Sequence, residues 1–138
     1  MGYVRFVLGQ RHPASGFPDG VFRTAYALLR DSGEISQEDR EALNDHLVWF
    51  DKHLAVPKRF NKTKSKGYYR RNKRGIAWFR DQAVEHVSRM NEIKRVLEAN
   101  GHTVHMVREE RIGYVVYSDD FQVIAEPFAD TRTGSELI

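Results

Sequence analysis

The sequence contains no cysteine, so disulfides, thiolate metal sites and cysteine nucleophiles are excluded. No apolar run approaches the roughly 18 residues that a membrane-spanning helix requires. The opening stretch, "MGYVRFVLGQRHP", holds an apolar piece interrupted by Arg5, too short and too polar for a secretory signal. Met1-Gly2 is not followed by the Ser or Thr at position six of a myristoylation signal. There is no internal repeat, no low-complexity tract and no linker long enough to divide domains. GxSxG, the phosphate loop and GxGxxG are missing as well. These absences lead to the expectation of a cytoplasmic protein without cofactor, folded as one domain over residues 1–128, with a flexible tail at 129–138.

What is present is a globular composition. The 138 residues are 41% hydrophobic and 30% charged, enough apolar material for a core. The net charge of +3 conceals a segregation: of 22 Lys and Arg, nine lie between Lys58 and Arg74, a stretch with no acid. The rest of the chain carries 13 basic against 19 acidic residues, a balance of −6 beside a segment of +9. Segregation of this kind concerns partners rather than fold.

"YVRFVLG" alternates and is rich in β-branched and aromatic residues, which predicts a strand, and "QRHPASGFPDG" predicts a loop. Phe22, Ala25, Tyr26 and Leu29 share a helical face, with Gly33 as a stop. Ser36 stands three residues before Asp39, a capping spacing, and opens a second helix with Leu43, Leu47, Phe50 and Leu54 on its apolar face. A third helix is expected from Gly75, along the stripe Ile76, Phe79, Ala83, Val87, Met90, Ile93 and Leu97, with Asn100-Gly101 ending it. "HTVHMVREE", "GYVVYS" and "FQVIAEPF" predict three strands of a meander. The expectation is a two-layer α+β domain of order β-α-α-α-β-β-β. Its antiparallel sheet has four strands, the N-terminal strand plus the C-terminal meander, covered by three helices.

The segment "KRFNKTKSKGYYRRNKR" carries the functional expectation. Lys58, Arg59, Lys62, Lys64, Lys66, Arg70, Arg71, Lys73 and Arg74 can neutralise phosphates and release counterions. Tyr68 and Tyr69 stand among them as rings on which exposed bases stack. Placed just before the expected third helix, Arg70 to Arg74 would also adjoin a helix N-terminus, which favours phosphate. The partner expected is nucleic acid, DNA or RNA, or another polyanion. The competing readings are a solvated loop, a loop paired with the chain's own acids, and contact with an acidic protein. The RNP signature, zinc-finger spacing and basic-zipper heptads are absent.

Other chemistry is weaker. His102 and His105 fall on opposite sides of an expected strand, and His46 and His53 share a helix face without an HExxH pattern. No metal site is expected from them. Asp81, Glu85 and His86 at the third helix's start offer an acid–base set, against dipole-complementing acids of a first turn. Asp119, Asp120 and Glu126 offer Mg²⁺ ligands, against the preference of hairpin tips for Asp. Gln122 and Glu126 would share a face of the last strand, wet or ligand-binding. Trp49-Phe50 and Trp78-Phe79 read as core aromatics, with both tryptophans at its edge.

Two resemblances accompany these residues. The segment "GYVVYSDDFQVIAEPF" resembles the ending of a group of small uncharacterised bacterial proteins, which implies a bacterial or phage origin and a cytoplasmic location. The strand, helical hairpin and C-terminal strands, with many cations, are similar in layout to the small ribosome-dependent ribonuclease toxins of toxin–antitoxin pairs. That likeness implies a grip on messenger RNA by Arg70, Arg71 and Arg74. The chain departs from it in its length, its additional helix and its acidic final strands. A protein-interaction or inhibitor domain linked to phage defence is the remaining alternative.

Overall fold

The computed structural model describes residues 2–10, 20–31, 33–56 and 75–134. In chain order they form β1 (Tyr3–Leu8), α1 (Val21–Asp31), α2 (Gln37–His53), β2 (Ile76–Arg80), α3 (Val84–Ala99), β3 (Val104–Glu109), β4 (Tyr114–Ser118) and β5 (Gln122–Glu126). The class is α+β, and the described residues hold three helices and one antiparallel sheet of order β3-β1-β2-β5-β4. The sheet has five strands where the sequence suggested four.

The additional strand comes from the start of the expected third helix. Ile76 and Phe79 are three apart and mimic a helical stripe, but Ile76 to Arg80 is the central strand β2. Both faces of the sheet are covered there, so Ile76, Trp78 and Phe79 are all buried and simple alternation is lost. The helix begins only at Val84, after a turn at Asp81 and Gln82. Its far end agrees with the expectation. Gly101 takes φ +93°, and the amides of Gly101 and His102 donate to the carbonyls of Glu98 and Leu97, a Schellman closure.

The expected meander is also corrected. Only β4 and β5 are neighbours; β3 pairs with β1 at the opposite edge. β3 ends at the level of Tyr3, and β4 begins opposite Glu126 at the other end of β5. A flat five-stranded sheet is about 19 Å across, and the four-residue link 110–113 spans at most about 18 Å before any offset along the strands. The sheet is therefore strongly curled, and the link crosses its inner face.

Ile112 of that link is buried with Val7, Ile76, Trp78, Val107, Val123 and Ala125 in a core inside the curl. Trp78, expected at an edge, is only 1% exposed at the centre of this core. Gly113 follows with φ +123°, and a Cβ there would stand 1.9 Å from the Glu126 carbonyl oxygen, so only glycine lets the chain pass. Residues beyond β5 return across the same region. Arg132 pairs with Glu109 at 3.1 Å, and a Cβ on Gly134 would meet the Val7 side chain.

The outer face of β1, β2 and β3 carries the helices. Val4, Phe6, Leu8, Phe79 and Val104 meet Ala25 and Leu28 of α1, Leu43, Leu47 and Phe50 of α2, and Met90, Ile93 and Leu97 of α3. In α1 the buried positions are Val21, Ala25 and Leu28, and Tyr26, expected on that face, is exposed. Ser36 caps α2 as its spacing predicts, its hydroxyl accepting from the Asp39 amide at 3.1 Å.

Candidate polyanion interface and the cleft beside it

Lys58, Arg59, Lys62, Lys64, Lys66, Tyr68, Tyr69, Arg70, Arg71, Lys73 and Arg74 lie outside the described residues. The structure does describe the residues on either side of them in the chain. At the departing end, Leu54 caps α2 by donating its amide to the Phe50 carbonyl. The His53 carbonyl accepts from His86 Nε2 at 2.9 Å, and the Ala55 carbonyl accepts from Gln122 Nε2 at 2.7 Å. At the returning end Gly75 leads directly into β2, which is paired on both sides. Arg70 to Arg74 thus precede a strand, and the helix N-terminus expected to help them hold phosphate is at Val84 instead.

Gln122 is buried rather than on a wet or ligand-binding face. Besides Ala55 it donates to Asp119 Oδ2 at 3.1 Å. Asp119 also accepts from the amides of Phe121 and Gln122, each at 2.9 Å, and from the Tyr117 hydroxyl at 2.8 Å. Partial burial alone would raise the pKa of Asp119, but these donors outweigh it and hold the carboxyl below its ordinary value. The same bond raises the Tyr117 hydroxyl pKa. Asp119 is therefore committed to the β4–β5 turn. Among the described residues no group of three or more His, Asp and Glu side chains is placed to hold a metal ion.

The acid–base set on α3 is not assembled. Asp81 lies in the turn before the helix and accepts from the Gly2 amide at 2.8 Å, while Glu85 pairs with Arg89 at 3.5 Å. His86 is only 3% exposed and packs among Trp49, Phe50, Phe79 and Phe121.

That packing defines a feature the sequence did not single out. Trp49 lies edge-on to His86 at 4.7 Å, and the Phe121 ring lies flat against His86 at 4.4 Å and 22°. The Arg89 guanidinium covers Trp49 at 4.4 Å and meets His46 Nδ1 at 3.3 Å. Phe121 remains 42% exposed and opens into a cleft of about 530 Å³ between the end of α2 and the β4–β5 turn. Asp51, Lys52, His53, Ala55, Tyr117 and Asp120 are among the residues that line it with Phe121. A lone Phe beside two Asp residues carried the only sequence signal for it, since a turn there needs no aromatic ring.

No protein-family model matches the chain, and neither a curated protein nor a solved structure matches it. Among the described residues no helix is long and apolar enough to cross a membrane.

Proposed function

We propose that the protein is a small domain that binds nucleic acid, or a polyanion of the same charge density, through residues 58–74. The observation that carries this reading is the segregation of nine cations without an acid beside a remainder with a balance of −6. The fold supports it by fixing both ends of the segment. The departing end is tied to Gln122 and His86, and the returning end enters the central strand. Tyr68 and Tyr69 supply stacking surface in the same stretch.

The test is a gel-shift panel over single- and double-stranded DNA and RNA at two salt concentrations. The native chain retards at least one of them at low salt and releases it at high salt. A chain with Arg70, Arg71, Lys73 and Arg74 replaced by Ala binds more weakly and with less dependence on salt. A native chain that retards none of them at low salt overturns the proposal.

A further inference from the structure

We infer that the cleft beside Phe121 is a subsite for a single unpaired base bearing an exocyclic amine. It extends the proposed polyanion binding from phosphates to bases, and it rests on that reading. Four observations converge on it. The first is the ring itself. Phe121 is 42% exposed, yet its inner face is fixed on His86 at 4.4 Å, and His86 is pinned by its bond to the His53 carbonyl and by Trp49 behind it. An aromatic ring backed by a packed pile and open in front is a stacking platform whose ordering is already complete before a ligand arrives.

The second is size. At about 530 Å³ the cleft lies within the range of small-molecule sites and admits a base but not a duplex. The third is the choice of free polar groups. Asp119 is occupied by its four donors, and the Tyr117 hydroxyl has given its one proton to Asp119. Asp120 and Asp51 are exposed and line the same opening, together with Lys52. Ionised carboxylates accept only, so they favour a base whose exocyclic amine offers them two hydrogens over uracil, where a carbonyl stands in the place of cytosine's amine. Lys52 on the same opening supplies a cation for the phosphate of the nucleotide that carries the base. The fourth is position in the sequence. Ala55 lines the cleft, and Lys58, the first cation of the basic segment, follows three residues later.

The test compares octamers of cytidylate and uridylate, which differ in the group on the same ring edge, with heparin as a polyanion without bases. Binding is measured for the native chain, Phe121→Leu and Asp120→Ala. Leu keeps apolar cover over His86 but offers no ring. The expected result is tighter binding of oligocytidylate than oligouridylate. Phe121→Leu should lose about 5- to 150-fold on both, the range of one stacked base. Asp120→Ala should narrow the difference between them, since Asp51 remains, and heparin affinity should not fall in either variant. In parallel, free cytidine at millimolar concentration should shift the backbone amide resonances of Asp120 and Phe121.

Salt-sensitive oligonucleotide binding that neither substitution alters overturns the base subsite and leaves the polyanion reading intact. Equal losses on oligonucleotide and heparin overturn it too, since they report damage to the fold. If the native chain binds neither polymer, the polyanion reading has failed, and cytidine then decides: shifts confined to the cleft uphold the subsite and their absence ends it.

Discussion

The buried amide of Gln122 donates to the carbonyl of Ala55 at 2.7 Å, across 67 residues of sequence. It ties the last strand to the point where the chain leaves α2 for the basic segment. Gln122→Leu preserves bulk but leaves a carbonyl without its donor and removes one of four hydrogen bonds to Asp119. The expected cost is about 1–3 kcal/mol in urea unfolding. Polyanion affinity should fall less than stability does, because the cations themselves are unchanged.

Gly113 gives a sharper structural test. With φ +123° and the Glu126 carbonyl where a Cβ would stand, Gly113→Ala strains the backbone and forces the link off β5. The strain alone is worth about 1–3 kcal/mol. Gly33, with nothing near its would-be Cβ, is the control, and Gly33→Ala should leave the urea midpoint nearly unmoved. Equal effects at the two positions would contradict the crossing of the link over the inner face.

His46 predicts a pH dependence. Its pKa is lowered from the ordinary 6.5, first by burial and then by the charge of Arg89, with Arg95 adding to this and Glu92 and Asp45 opposing it. The neutral Nδ1 receives Arg89 Nη1 at 3.3 Å. Above the ordinary value both folded and unfolded chains hold the ring neutral, and the α2–α3 contact is intact. As pH falls below about 6.5 the unfolded chain takes up the proton first, so stability declines until the native ring is also protonated. The stability advantage of the native chain over His46→Gln should therefore shrink between about pH 7.5 and about pH 5 in urea titrations. An advantage that grows on acidification would contradict this.

Local chemistry was legible where one residue type decides a local geometry. Ser36 capped α2, Gly101 closed α3, and the Leu43, Leu47 and Phe50 stripe faced the core as its spacing required. The misreading at Ile76 to Arg80 came from a strand buried on both faces, whose apolar run has no period of two. The meander failed because short links favour adjacent strands only in a flat sheet, and curling lets 110–113 join opposite edges. Of the candidate site, the charge of 58–74 was plain, since composition needs no coordinates. The stack of Trp49, His86 and Phe121 was not, because it joins α2, α3 and the β4–β5 turn, and no local pattern encodes such a meeting.

The most direct measurement is the salt dependence of oligonucleotide affinity for the native chain and for the Arg70, Arg71, Lys73 and Arg74 to Ala variant. For a single strand held by several of the nine cations, log K should fall against log salt with a slope of about −3 to −6. The variant should flatten that slope by up to about 3. A native slope near zero, or one the variant leaves unchanged, would show that this segment does not meet the polyanion.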